Sequence, residues 1–200
     1  MNPALLRVAV ELLDERGWDA LTLDEIAARA GVSRVTVWRH GITRASVERE
    51  LRHRLAADYR DRIYDVLTAP GTGRERLAAA LMALFDVAER SLPLLAHTET
   101  AFHGPDLDAV GIQLDFYQPW LRILETGEAD GSLPSIADQR RFIGALTNMV
   151  LLTYVHLRAY HAAEGWRPAT TAAHVVTLVS EGYLPRPGRA RRARSGRSGT

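Results

Sequence analysis

Several residue types and patterns that carry chemistry are missing from this chain of 200 residues. Cysteine is absent, which excludes disulfide bonds, a thiolate nucleophile and cysteine-ligated zinc or iron–sulfur sites. Lysine is absent too, so all 25 basic residues are arginines, whose side chains suit phosphate contact. No stretch of useful length alternates apolar and polar residues, so the sequence predicts no β-strand.

A leader or a membrane segment is not expected either. The first residues hold no basic segment followed by an apolar run, which a signal peptide requires. The most apolar stretch, from Ala145 to Leu157, is interrupted by polar residues and is shorter than the roughly 20 residues that span a bilayer. We therefore predict a soluble, cytoplasmic protein that does not contact a membrane.

Catalytic and metal-binding motifs are also lacking. The stretch Gly71-Thr72-Gly73 has neither the lysine nor the spacing of a phosphate-binding loop, and no G-x-S-x-G element occurs. His156 and His161 are five residues apart, which on one helix places them on different faces, so they predict no metal site. The sequence therefore indicates no enzyme, no cofactor and no bound metal.

The charge that is present is distributed unevenly. Residues 1–62 carry a net charge of +1, residues 63–185 carry −6, and residues 186–200 carry +6. Residues 26–47 contain four arginines and His40 but no acidic residue. This local basic patch suggests a polyanionic partner, although a solvated helix face explains the charge equally well.

Helix signals fill the first 46 residues. Thr22 and Glu25 have the spacing of a capping box, and the turn Gly31-Val32-Ser33 separates two short predicted helices. Val37 is expected to point inward, so the second of these helices presents its other side chains to solvent. This is a helix-turn-helix layout, in which the second helix can lie in a major groove of DNA. The predicted N-caps are Asn2, Thr22, Ser33 and Thr43, and the predicted helix ends are Gly17, Gly31 and Gly41.

The segment from Leu21 to His40 resembles the DNA-binding segment of TetR/AcrR-type transcriptional regulators, and the resemblance covers about residues 5–50. It implies phosphate contacts at the start of the second helix, at His40 and at the start of the fourth helix, and contacts to base edges or nearby phosphates along the third helix. Trp38 stands where the family usually has a tyrosine on the DNA backbone. The implied contact residues are Thr22, Ser33, Arg34, Val35, Thr36, Trp38, Arg39, His40 and Arg44.

Three positions depart from the family pattern. Gly41 replaces the usual phenylalanine of the small core, where Ile42 is a possible substitute. Ala45 replaces an acidic residue, and Val35 replaces a small one, so the operator sequence does not follow from the resemblance. For two residues an alternative without DNA contact stays open. Trp38 could be a core residue, and Arg29 could be a solvated surface residue.

The remaining chain is predicted to be helical throughout. Helices are expected over residues 43–67, 74–90, 106–125, 137–161 and 170–182, with a short segment at 94–102 and a loop at 128–135. From Phe142 to Leu157 the chain is apolar on nearly every side, which predicts burial on two sides. In the resembling family the last two helices form a four-helix dimer interface, so the resemblance implies a homodimer. A buried helix in a monomer is the alternative.

A ligand cavity is predicted, on the family resemblance, between the helices that begin near Arg74, Asp106 and Ala137. Its candidate lining mixes aromatic, apolar and polar side chains, as ligand pockets do, although each could be an ordinary core residue. No arginine occurs between Arg90 and Arg122, which favours an uncharged or cationic ligand. The candidate residues are Phe85, Phe102, Phe116, Tyr117, Trp120, Asn148, Leu152 and His156.

These features together predict an all-α protein with an N-terminal three-helix DNA-binding domain (1–46), a helical ligand-binding and dimerisation domain (47–184), and a disordered arginine-rich tail (185–200). The resemblance implies a repressor that a small-molecule effector releases from a palindromic operator in double-stranded DNA. One alternative is an all-α ligand-binding protein or enzyme whose head no longer reads DNA. Another is an architectural DNA-binding protein without a cavity. The tail either adds affinity for DNA or is dispensable.

Overall fold

A computed structural model describes residues 2–97 and 116–181, and within these ranges the chain forms helices and no strand. The all-α fold class is therefore confirmed. The helices are α1 (Pro3–Arg16), α2 (Leu23–Ala30), α3 (Arg34–Arg39), α4 (Arg44–Thr68), α5 (Gly73–Arg90), α6 (Leu92–His97), α7 (Tyr117–Ala129), α8 (Gln139–Tyr160) and α9 (Pro168–Glu181), with 3₁₀ turns at Trp18–Ala20 and Ala162–Glu164. Phe102 and the arginine-rich tail lie outside the described residues.

Predicted N-caps begin the helices of the head. The Asn2 side chain accepts a hydrogen bond from Ala4 N at 2.9 Å, and Thr22 accepts one from Glu25 N at 3.2 Å. The expected capping box at α2 is only half formed. The Glu25 carboxylate does not reach back to the cap but pairs with Arg16 at 3.0 Å, which ties α2 to the end of α1.

A small apolar core fixes α3 against its neighbours. Val37 and Ile42 are fully buried, and both belong to one cluster with Ile26 of α2. Gly41 adopts a positive φ of 68°, a backbone conformation that an L side chain rarely takes. The chain can therefore turn sharply there and insert Ile42, so Ile42 fills the core position that the missing aromatic leaves.

α4 is one continuous helix of 25 residues that belongs to both halves of the molecule. It begins with a full capping box between Thr43 and Ser46. Val47, near its start, is buried in the head, while Tyr59 and Ile63 are buried in the body. The boundary predicted at residue 46 thus falls inside this helix.

α5 is the central helix of the body and packs against α4, α7, α8 and α9. It begins at Gly73, one residue before the predicted start, because Thr72 and Glu75 form a capping box there. Gly73 lies against α7 so closely that an added Cβ would be 2.2 Å from the Cα of Gly127. Only glycine fits this crossing, which fixes the distance between α5 and α7.

α8 contains 22 residues and is longer than the apolar stretch identified in the sequence. By length and composition it could cross a membrane. Its residues Ile143, Val150 and Tyr154 are, however, almost completely buried among the other helices, as in the core helix of a globular fold. Its apolar character is therefore explained in large part by burial within the chain itself.

Candidate nucleic-acid interface and body cavity

α3 presents nearly all of its side chains to solvent. Val37 is its single buried residue, while Val35 is 58% and Trp38 68% exposed. Val35 and Trp38 are three residues apart and therefore share one face of the helix, where they form an exposed apolar patch that suits a partner surface. The exposure of Trp38 rules out the alternative that it is a core residue.

The arginines of the head differ in how they are paired. Arg29 forms an ion pair with both carboxylate oxygens of Glu15, and this hydrogen bonding lowers the pKa of the Glu15 carboxyl. Arg29 therefore ties α2 to α1. Arg34 makes one weak contact, 3.3 Å from an oxygen of Asp24, and both side chains are mostly exposed. Arg39 has no hydrogen-bond or ion-pair partner among the described residues.

The hydroxyl residues at the start of the two helices serve as caps. Ser33 Oγ accepts a hydrogen bond from Thr36 N at 3.1 Å and lies 2.9 Å from Thr36 Oγ1. Thr36 is half-buried, whereas Thr22, Ser33 and His40 are exposed. Each exposed residue can be reached from solvent.

Arg44 is engaged by the body as well as by the head. Its Nη2 lies 2.6 Å from His97 Nε2 at the end of α6, and its guanidinium lies 5.2 Å from the centre of the Trp18 ring. Trp18 in turn stacks on His97 at 4.8 Å and donates from Nε1 to Pro93 O at 3.0 Å. Because Arg44 can only donate, His97 Nε2 must accept in this contact. This cluster connects the head to α6.

An aromatic cluster lies between α4 and α7. Phe116 stacks on Tyr59 at 5.0 Å and lies 6.3 Å from Trp120 and 5.7 Å from Tyr117. Trp120 is buried, and its Nε1 donates to the Tyr59 hydroxyl at 2.8 Å. Three of the predicted ligand residues therefore meet, together with Tyr59, which sequence reasoning missed. Its helical spacing with Leu55, Ile63 and Val66 on α4 could have indicated an inward position.

The other predicted ligand residues lie elsewhere. Phe85 stacks on Tyr154 at 4.6 Å, and Asn148 is half-buried, donating to Gly144 O at 2.7 Å. Leu152 is 47% exposed and His156 is exposed too, because both point away from the core of the chain. The structure therefore does not bring these two residues together with the aromatic cluster.

A polar network joins α5 to the end of α8. Glu89 accepts hydrogen bonds from Arg158 Nε at 2.9 Å and Nη2 at 2.7 Å, and from the Tyr154 hydroxyl at 2.9 Å. Burial alone would raise the pKa of the Glu89 carboxyl, but the bonds from Arg158 and Tyr154 outweigh it and lower that pKa. Burial and the Glu89 carboxylate raise the pKa of Tyr154.

A groove with a cavity of about 220 Å³ opens between α5, α7, α8 and α9. Apolar side chains, among them Leu77, Leu81 and Phe142, form most of its lining. Arg74 stands in its wall and donates to Ser180 O at 3.2 Å. The groove lies between two of the helices predicted to enclose a ligand, but it contains none of the seven predicted residues that the structure describes.

Two histidines that were expected on different helix faces come together. α8 ends at Tyr160, so His161 has left the helix and its ring turns back towards His156. The two Nε2 atoms are 3.3 Å apart. The sequence spacing was misleading because the helix does not continue through both residues.

The outer faces of α8 and α9 carry exposed apolar side chains. Met149 is 59% exposed, Leu152 47%, and Leu178 of α9 58%. Sequence reasoning placed a partner-facing side on these two helices. Met149 and Leu152 are three residues apart on one side of α8, and Leu178 is the exposed large apolar residue of α9.

A family model and a known relative each match part of this chain. Residues 5–40 match the family described as bacterial regulatory proteins, tetR family. A relative named HTH-type transcriptional activator FasR, from Mycolicibacterium smegmatis, is 33% identical over 85 residues. That match covers 42% of this chain and only 39% of the relative's length.

Two solved structures have the same fold over nearly the whole chain. A TetR/AcrR-family regulator from Thermobifida fusca has a TM-score of 0.67 and 21% identity, covering 90% of this chain and 97% of its own. FadR from Thermus thermophilus, a repressor crystallised with lauroyl-CoA, has a TM-score of 0.61 and 25% identity, covering 94% of this chain and 97% of its own.

Proposed function

Since this chain belongs to the TetR/AcrR family of transcriptional regulators, we propose that it binds duplex DNA sequence-specifically by placing α3 in the major groove. The observation that carries the proposal is the orientation of α3, which buries Val37 alone and exposes Arg34, Val35, Trp38 and Arg39. Arginine can hydrogen-bond guanine bidentately, and a valine methyl can contact the thymine methyl.

The charges of the head support this assignment. Arg39 is unpaired among the described residues, and the exposed contact of Arg34 with Asp24 contributes at most about 1 kcal/mol. DNA can therefore replace that contact at little cost. Arg29 is already neutralised by Glu15, so we assign it a structural role. Thr22, Ser33, Thr36, His40 and Arg44 complete the proposed contact set.

We assign dimerisation to the outer faces of α8 and α9. Met149, Leu152 and Leu178 are the exposed apolar residues there, and a second copy of the chain can bury them. A two-fold dimer can present its two copies of α3 to two half-sites, which for helix-turn-helix dimers lie about 34–36 Å apart on one face of DNA. A palindromic operator follows from this symmetry.

We propose that the body binds a small-molecule effector that shifts the dimer to a conformation in which the α3 helices no longer match the half-sites. The apolar groove beside Leu77, Leu81 and Phe142 suits an apolar chain. FadR from Thermus thermophilus is a repressor and binds lauroyl-CoA, so acyl-CoA thioesters are the first effectors to test. This anionic class differs from the uncharged or cationic ligand that the sequence favoured.

Fluorescence anisotropy on DNA from upstream of the gene tests the DNA-binding proposal. The measurement includes competitor DNA and a salt series, with Arg34→Ala and Arg39→Ala as variants and Arg122→Ala, an exposed arginine of the body, as the control. Each arginine that reads a base is expected to contribute about 1–3 kcal/mol, so either head variant should bind about 5- to 150-fold more weakly. Wild-type affinity in both head variants would refute the assignment of α3.

A distant operator is distinguished from an inactive head by selection from random DNA. Failure of that selection would leave a ligand-binding dimer without DNA function. The sign of regulation needs a reporter assay, because the FasR relative carries the name of an activator. We expect a promoter fused to the operator to be more active when the gene is deleted, and addition of the effector should have the same result in the wild type.

A further inference from the structure

The end of α8 holds a pair of imidazoles that neither the DNA surface nor the apolar groove uses. His156 lies in the last turns of α8, and His161 follows immediately after the helix. Their Nε2 atoms are 3.3 Å apart, and their ring centroids are 5.0 Å apart. Within the single chain His156 is exposed and His161 half-buried, so solvent reaches both rings there. His156 lies one helical turn beyond Leu152, on the face of α8 that we assign to dimerisation.

Glu164 determines which nitrogen of His161 carries the proton. Its Oε1 lies 2.9 Å from His161 Nδ1. A carboxylate can only accept a hydrogen bond, so Nδ1 is the protonated nitrogen of the neutral ring. The lone pair of His161 is therefore on Nε2, which faces Nε2 of His156. A carboxylate behind a histidine is the arrangement that orients metal-ligating imidazoles in proteins.

The distance between the two nitrogens fits a shared metal ion. Zinc binds imidazole nitrogen at about 2.0–2.1 Å in tetrahedral geometry, which places two such ligands about 3.3–3.4 Å apart. The observed separation is 3.3 Å. An ion can take the place of the hydrogen between the two nitrogens once His156 carries its proton on Nδ1, which leaves an Nε2 lone pair on each ring.

We propose that His156 and His161 bind one divalent ion of the zinc class, with Glu164 holding His161 in its ligating orientation. The described residues contain no group of three or more metal-ligating side chains, so water completes the coordination. Nitrogen ligands select zinc, nickel or copper ions over magnesium and calcium, which require oxygen ligands. The site is independent of the proposed DNA and effector functions.

Calorimetric titration of the untagged full chain with zinc chloride tests the site. We expect one saturable ion per chain, an at least tenfold weaker affinity in His156→Ala and in His161→Ala, and about a tenfold loss in Glu164→Gln. His174→Ala is the matched control, because His174 is an exposed histidine whose Nδ1 contacts Thr170 O instead. Magnesium chloride should give no binding. Unchanged zinc affinity in the His156 and His161 variants would overturn the proposal.

Nitrogen NMR of the imidazoles gives a second measurement that does not need a variant. Zinc should shift the Nε2 resonances of His156 and His161 while Nδ1 of His161 stays protonated. If zinc instead shifts the other histidines and leaves this pair unchanged, the ion binds elsewhere and the site is wrong.

Discussion

Replacing Glu89 with glutamine is expected to destabilise the body by separating α5 from the end of α8. The variant keeps the shape of the side chain but removes the charge that pairs with Arg158. The Arg158 side chain is 13% exposed and that of Glu89 29%, so the pair is largely shielded from water. Arg158 also donates to Trp166 O, which keeps the guanidinium in place after the carboxylate is lost.

The expected loss in the free energy of unfolding lies between two limits. Breaking a fully buried ion pair costs about 3–5 kcal/mol, and a single hydrogen bond to a charged group contributes about 1.5–3 kcal/mol. Because Glu89 is still partly exposed, we expect a loss of about 2–3 kcal/mol in the free energy of unfolding. For a chain of this size, that corresponds to a decrease of about 4–12 °C in Tm.

Circular dichroism during thermal and urea unfolding measures this effect. The control is Glu125→Gln, which removes an exposed partner of Arg122 at 3.4 Å and should change stability by less than about 0.5 kcal/mol. Equal losses of unfolding free energy in Glu89→Gln and Glu125→Gln would refute the reasoning, because the pair of Glu89 with Arg158 would then behave as an exposed surface pair.

The same network predicts a pH dependence with a definite sign. The pKa of Glu89 is lower in the folded protein than its ordinary value of 4.5. A lowered carboxyl pKa means that the stabilisation is fully present above pH 4.5 and is lost as the pH falls through the folded-state pKa. The difference in stability between wild type and Glu89→Gln should therefore be largest near neutral pH and shrink under acid conditions.

Three further predictions concern other parts of the molecule. Gly73→Ala should lower the free energy of unfolding by about 1–3 kcal/mol in urea denaturation, because the new Cβ would lie 2.2 Å from the backbone of α7. The control Gly144→Ala, whose Cβ would have its nearest neighbour at 3.6 Å, should raise the free energy of unfolding by up to about 1 kcal/mol. Leu152→Glu should give monomers in light scattering at concentrations where the wild type is dimeric, because it places a charge in the proposed interface. His97→Ala should strengthen DNA binding severalfold by releasing Arg44 for phosphate, while a wild-type affinity would show that the contact does not compete with DNA.

The head could be predicted in detail because its determinants are local. Thr22, Ser33 and Thr43 cap the helices that follow them, as the sequence indicated. Val37 is buried because the helix-turn-helix spacing leaves only one inward position on so short a helix. The contact roles of the exposed residues remain predictions.

The helices of the body could be predicted from the sequence, but the arrangement of the side chains in its candidate site could not. The bond from Trp120 to Tyr59 joins residues 61 positions apart, a pairing that no helical period specifies. Glu25 had two possible partners, its own helix cap and Arg16, and the packing of α1 against α2 brings Arg16 within reach. The groove is lined from four helices and the 130–136 loop, so its lining depends on how these elements pack.

Because α4 is long, a small tilt of this helix moves the head by several ångströms. A continuous helix of 25 residues is about 37 Å long, with the capping box of Thr43 beside α3 and the other end among the body helices. A tilt of about 5° around the body end would move the head end by about 3 Å, which is the length of a hydrogen bond. In the proposed complex with DNA, a change in the body would thus move α3 away from the bases while α3 itself keeps its structure.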